Sequence, residues 1–593
     1  MPASTYQQRL NKYTDENNRL NRQLGWLSFI RLVVFAGIIG FGYYYLVKGH
    51  PAWLIIAIIF LVIFLYCLRL YDVIKAKADF VRALAGINEA ELEFLEEGLN
   101  NQPGGEEYID PHHPYSYDLD LFGKGSLYQH LNRATTQFGR SSLAHALLHP
   151  DTASIVARQV AIRELKTKLD FRQEIQAAGS VYPVEDRELE RLKSWLASGS
   201  VFKESKFYLP LLIFPLATIT LLVSYLVGGN EQLLTGFFFL FALNLVISFS
   251  FARNMIRQIS ISGVITRVLQ QFANQLKRIE KESFQAPLLR DLQARLGKGD
   301  QGAFRYIQQL ASLFKYLDFL LNLVVSVFLN GFFLFHILVL YALDKWKRKH
   351  ASAVMEWLEL VGEFESMNSL ANFSFNNEKY AFPGLLDKDG LWGTALGHPL
   401  IRSAKRICND ISFEKEKFIV LTGSNMSGKS TFLRTLGINL VLARAGSAVC
   451  AESFYLFPYD LHVSMRISDS LQDSESLFYA ELKRLQGIIG HLQSDNRTFV
   501  ILDEILKGTN SQDKHNGTAG LITKLARYRA YGIIATHDLT IADMTAAYPG
   551  YMANKCFESV IHNDELIFDY KLKNGICSRL NASFLMKRMG IID

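Results

Sequence analysis

Two pairs of long apolar runs set the hydrophobic pattern of this chain. Leu32 to Val47 is apolar, and after Lys48-Gly49-His50-Pro51 the chain is apolar again from Ala52 to Leu68. Each run matches the short end of a membrane-spanning helix, so together they predict a helical hairpin with a tight turn on one side of a bilayer. Arg31 and Arg69 stand at the base of the arms, where long stems let the charge reach the headgroups. A second pair, Phe207 to Val227 and Leu233 to Ala252, flanks Gly228-Gly229-Asn230-Glu231-Gln232. Pro210 and Pro215 are tolerated in its first arm because neighbouring groups satisfy the freed carbonyls. A fifth apolar stretch, Phe319 to Ala342, is interrupted by Asn322, Asn330, Gly331 and His336, and is read as a buried or membrane-lying helical pair. Runs such as Leu54 to Leu61 disfavour the competing reading, hairpins buried inside a soluble protein.

Charge orients these segments. Arg19 and Arg22 precede the first pair, and Arg69, Lys75, Lys77 and Arg82 follow it; Lys203 and Lys206 precede the second, and Arg253 and Arg257 follow it. The short turns carry little positive charge, so termini and long segments are expected in the cytoplasm, with the chain multi-pass in the inner (cytoplasmic) membrane. The polar first 25 residues, with no small-residue cleavage site after the apolar run, do not read as a signal peptide.

The expected fold class is multidomain α and α/β. A polar lead-in (1–25) precedes hairpin 1 (26–70) and a helical segment with a Gly/Pro/His-rich linker, Asn100 to Pro114 (71–118). A helical core part (119–202), hairpin 2 (203–254) and a lever region (255–380) follow, the last with Ile259, Val264, Val268, Phe272 and Leu276 at helical spacing. From 381 to 593 short β-rich runs alternate with helices, the texture of an α/β domain.

Composition narrows the class. At 593 residues, 49 % hydrophobic and 20 % charged, the chain is too apolar for disorder and too long for one core. A mean hydropathy of +0.09 agrees with local membrane segments. The net charge of +6 is too small to argue for nucleic acid by itself. Five scattered cysteines with no CxxC pair disfavour a disulfide framework and a thiolate zinc site.

The chemistry lies near the C-terminus. Lys417 to Thr422 reads as a buried strand, Gly423-Ser424-Asn425-Met426-Ser427-Gly428-Lys429-Ser430-Thr431 as a phosphate loop, and Phe432 to Leu436 as the following helix. Backbone amides and the helix N-terminus cradle phosphates, Lys429 reaches the β/γ oxygens, and Ser430 is a magnesium ligand. A second strand, Thr498 to Leu502, ends in Asp503-Glu504: Asp503 is placed for the magnesium shell and Glu504 to polarise water. A third, Gly532 to Ala535, ends in Thr536-His537, where an imidazole can sense the γ-phosphate. These residues make ATP and Mg2+ the expected cofactors, with Lys429, Glu504 and His537 catalytic.

At these positions the chain resembles the MutS family, mismatch-repair ATPases of the ABC superclass. Its loop is similar to T-G-P-N-M-x-G-K-S-T, Asp503 to Asn510 to D-E-[IL]-x-x-G-T, and Ala535-Thr536-His537 to A-T-H. Ser476-Leu477-Phe478-Tyr479-Ala480-Glu481 is similar to S-x-F-x-x-E, which implies that Ser476 contacts the partner's nucleotide; Gly397-His398-Pro399 implies that His398 lies near the base. Asp118 to Leu127, Thr135 to Arg140, Arg158-Gln159 and Glu164-Leu165 resemble the start of the family's helical core more weakly. The mismatch-reading domain has no counterpart, and a hairpin interrupts the core. The resemblance implies a homodimeric ATPase sandwich that moves helical arms, here anchored in membrane lipid, with DNA (mismatched or branched) left open as a partner. The alternatives are an ABC-type half transporter, disfavoured by about four spans and no L-S-G-G-Q, and a membrane ATPase scaffold without a DNA role.

Overall fold

The computed structural model describes residues 2–98, 101–199, 202, 213–297, 299, 302–424, 426–466, 477–494, 497–562, 565–577 and 592. The chain is mostly helical up to Asn376, with long apolar helices, and α/β from there on.

Helices α1 (Pro2–Lys48) and α2 (Pro51–Glu97), 47 residues each, form one hairpin. Its turn uses Gly49, which is left-handed at φ 67, and Pro51 at the start of α2, where a missing N–H costs nothing. α1 runs unbroken through residue 25, so the polar lead-in and the apolar arm are one rod; likewise α2 carries the second arm on to Glu97. The apolar middles stay exposed, as at Trp26, Leu32 and Leu46, while the polar ends pack on the body of the protein.

That packing is polar and buried. Glu91 of α2 pairs with Arg133 and accepts from Asn372 Nδ2 (2.9 Å) and Asn376 Nδ2 (2.8 Å). Tyr6 of α1 donates to Asn376 Oδ1 at 2.8 Å, and Arg172 Nη1 to Asn372 Oδ1 at 2.7 Å. A carboxylate is tolerated there because a cation and two amides satisfy both of its oxygens.

The stretch expected as a linker is, over its described residues, a packed loop. Gly123 N donates to Gly104 O at 2.9 Å, and Val463 N to Pro114 O at 2.8 Å. Further on, buried Asp118 accepts from Met465 N (2.7 Å) and Arg466 N (2.8 Å) and pairs with Arg484. Small helices follow: α3 (Leu127–Leu131), α4 (Gln137–Leu148), α5 (Ile155–Thr167), α6 (Leu169–Ser180) and α7 (Asp186–Ala197).

The second apolar pair is α8 (Ile213–Gly228) and α9 (Glu231–Ser250); residues 207–212 of its expected first arm lie outside the described residues. Then come α10 (Ala252–Lys281), α11 (Pro287–Arg295) and α12 (Ala303–Leu317). The apolar stretch at 319–342 is broken twice. The chain bends 112° into α13 (Leu323–Phe333), then turns at left-handed Leu334 (φ 49) into α14 (Phe335–Asn376).

The polar interruptions serve these breaks: Asn330 Oδ1 accepts from His336 N at 3.2 Å, and Asn244 of α9 donates to Gly331 O at 2.8 Å. Among the described helices α1, α2 and α9 are long and apolar enough to cross a membrane, and the bent α12–α13 pair would count as a fourth if taken as one span.

Beyond α14 lie two sheets. The smaller has the order β1 (Gly384–Leu385), β5 (Ser453–Leu456), β2 (Leu391–Leu396), β3 (Asn409–Ser412). The larger has the order β10 (Glu565–Asn574), β9 (Met552–His562), β4 (Phe418–Gly423), β8 (Tyr531–Thr536), β7 (Thr498–Asp503), β6 (Asp460–Ser464). It is parallel apart from β10. β4, β7 and β8 are buried at every position, as expected of central parallel strands covered on both faces. Helices α15 (Lys429–Arg444), α16 (Leu477–Ser494), α17 (Ser511–Arg527) and α18 (Leu539–Asp543) complete the domain.

Candidate active site

Three adjacent parallel strands end at one edge of the larger sheet, and each delivers one part of the site. β4 runs into the phosphate loop, which turns into α15 through Gly428 at φ 100, a conformation an L side chain resists. Lys429 opens the helix and is buried; its Nζ donates to Gly423 O (2.8 Å) and Ser424 O (3.0 Å), curling the loop round the ammonium. Burial lowers the Lys429 ammonium's pKa, while nearby Glu504 and Asp503 pull it back up.

β7 delivers Asp503 and Glu504. Asp503 is buried, and its Oδ1 has no hydrogen-bond partner among the described residues. Ser427 Oγ in the loop is in the same position. Orphaned oxygens facing a phosphate loop suit a magnesium–nucleotide ligand, because a buried oxygen without a partner is otherwise costly. Glu504 is left-handed (φ 47), and its N–H donates to Ala535 O at 3.0 Å, which locks the end of β7 to β8.

β8 delivers His537, whose Nε2 lies 2.5 Å from Glu504 Oε1 and 3.3 Å from Lys429 Nζ. The shorter contact assigns the proton: Nε2–H donates to the carboxylate, and Lys429 keeps its donors for the loop carbonyls. That hydrogen bond is the main reason the Glu504 carboxyl is held down to about 2, against the opposing effect of burial.

The site opens into a cleft of about 530 Å³ lined by Ser424, Met426 to Phe432, Glu504 and His398. Burial, with Arg434 and Arg406 nearby, pushes the His398 imidazole down to about 4, so it is neutral. The structure thus brings Gly423, Ser424, Met426, Ser427, Gly428, Lys429, Ser430 and Thr431 together with Asp503, Glu504, His537 and His398. Asn425 and Ser476 lie outside the described residues.

Sequence reasoning missed Lys405, Ile407, Asn409 and Tyr570, which also line the cleft. A Cβ on Gly428 would lie 3.0 Å from the Tyr570 ring, so this aromatic sits over the phosphate loop. Asn409 holds it there, donating to Tyr570 O (3.0 Å) and accepting from Leu572 N (2.8 Å). No local pattern marks Tyr570; a register shift between Phe568 and Leu572 puts it in place.

Residues 419–587 match the family model of MutS domain V. The DNA mismatch repair protein MutS of Thermotoga maritima is 29 % identical over 252 residues, 42 % of this chain and 31 % of the relative. That of Thermotoga sp. (strain RQ2) is 28 % identical over 252 residues with the same coverage, and that of Pseudothermotoga lettingae 26 % over 231 residues, 38 % of this chain and 28 % of the relative. The match therefore spans less than a third of the length of these relatives. Residues 419–587 are a MutS domain V, an ATPase domain, and over about 42 % of its length the chain is a distant homologue of MutS proteins.

Proposed function

We propose that this chain is a membrane-anchored MutS-type ATPase that closes two copies of its C-terminal domain on ATP and moves helical arms tied to lipid. One observation carries the reading. A single chain joins the set Lys429, Ser430, Asp503, Glu504 and His537 to one continuous 42-residue helix, α14, which runs from the apolar helices to the ATPase domain. At 1.5 Å per residue such a helix is about 63 Å long, and a helix packed along its length transmits displacement instead of absorbing it.

In this reading the loop amides and Lys429 hold the β/γ-phosphates, and Ser430 and Asp503 are the residues that would hold Mg2+. The ion supplies charge neutralisation on the phosphate oxygens. Glu504, kept ionised by His537, accepts a proton from the attacking water, and His537 reports the state of the γ-phosphate to β8. His398 lines the cleft where the base would lie, and Tyr570 covers the phosphate loop. Ser476 of each copy would complete the partner's site.

ATP turnover of the full chain in lipid nanodiscs tests this, alone and with plain, mismatched or branched duplex DNA. Wild type should hydrolyse ATP, and Lys429→Ala should lose nucleotide binding. A wild-type chain that neither turns over ATP nor dimerises with it bound would end the reading. The relatives are named for DNA mismatch repair, so stimulation by one DNA structure would assign the arms to DNA. Equal rates with every duplex would leave the membrane segments as the load.

A further inference from the structure

The turn that follows Glu504 is held from outside by the first turns of α16. Its backbone is unusual, with Glu504 and Leu506 both left-handed (φ 47 and 61) although neither is glycine. Such a conformation persists only where its surroundings enforce it. Two contacts from α16 do so. Glu481 is buried, and its Oε1 accepts from Leu506 N at 2.6 Å. Three residues earlier, Phe478 lies against Gly508, where any Cβ would meet the Phe478 Cβ at 3.0 Å. Ile505 and Leu506 fill the core beneath the turn.

From this geometry we infer that Glu481 is a positioning residue for hydrolysis, gripping the amide of Leu506 so that Glu504 stays aimed at the cleft beside His537. The inference rests on the ATPase reading and deepens it. Glu481 does not line the nucleotide cleft; it acts through the backbone of the turn. It sits five residues after Ser476, so the helix that steadies one copy's Glu504 begins directly after the residue expected at the partner's nucleotide.

Glu481→Ala and Glu481→Gln in the full chain separate positioning from folding, since the amide oxygen of Gln accepts the same N–H group. Glu481→Ala should lower kcat by roughly 10²-fold, the usual effect of a small misplacement, with ATP affinity little changed. Glu481→Gln should recover most of that loss. Hydrogen exchange at the Leu506 amide should quicken in the Ala variant and stay near wild type in the Gln variant. Wild-type turnover in Glu481→Ala, equal impairment of both variants, or ATP affinity falling in step with kcat would overturn the inference. If the wild-type chain hydrolyses no ATP, the ATPase reading fails. The exchange result still decides Glu481, because unchanged protection in Glu481→Ala shows that it does not hold the turn.

Discussion

At Glu504 one hydrogen bond moves the acid limit of its charge. With the His537 imidazole donating to it, the carboxyl titrates near 2 instead of 4.5, so it is a carboxylate throughout the working range. The sign follows: a carboxylate depressed by folding contributes stability that is full above its unfolded value and is lost as pH falls towards 2. His537→Ala removes the largest cause. The acid limb of the residual pH–kcat profile should then move upward, towards an ordinary glutamate, and an unmoved limb would show that the bond does not control ionisation. Glu504→Gln should bind ATP and accumulate as a nucleotide-loaded dimer with little turnover, seen as a shifted elution volume with labelled ATP. Normal hydrolysis by that variant would remove Glu504 from the chemistry.

Between elements, buried polar contacts of unequal strength hold the apolar helices to the body. Glu91 satisfies Arg133, Asn372 and Asn376 at once. Glu91→Ala leaves a buried guanidinium without its counter-charge and should cost about 3–5 kcal/mol. Asn244 donates to Gly331 O and to Thr218 Oγ1 (3.0 Å), pinning α13 to α9. Neutral bonds between apolar helices contribute only about 0.6–2 kcal/mol, so Asn244→Leu should be the milder lesion. Thermal unfolding in detergent checks the order; a Glu91→Ala chain as stable as wild type would show that the hairpin is not clamped there.

Over the whole molecule, apolar surface is left uncovered on two groups of helices, α1/α2 and α8/α9/α13, with Leu46, Val227 and Val324 each about four-fifths exposed. A soluble monomer does not carry patches of that extent without association. Alkaline carbonate extraction should leave the chain in the membrane pellet, and recovery in the supernatant would contradict anchoring in lipid. Both groups connect to the ATPase domain through α14, whose first residues follow α13 and whose last buried turns carry Asn372 and Ser374.

The parts legible in the sequence are those written in neighbouring residues. Apolar length marks the long helices, and strand–loop–helix spacing marks Gly423 to Thr431. An acidic pair or a histidine at the end of an apolar run marks Asp503, Glu504 and His537. Each depends on helix rise, strand alternation or backbone reach, which the local chain dictates. What only the tertiary structure decided are meetings between distant residues: Tyr570 over Gly428, Glu481 under Leu506, Glu91 between Arg133 and Asn376, and Asp118 at Met465 and Arg466. Their side chains look like ordinary surface glutamates, aspartates and tyrosines in sequence. For buried Glu91, Asp118 and Glu481 an unsatisfied polar group is costly, so packing, and not spacing along the chain, selects their partners.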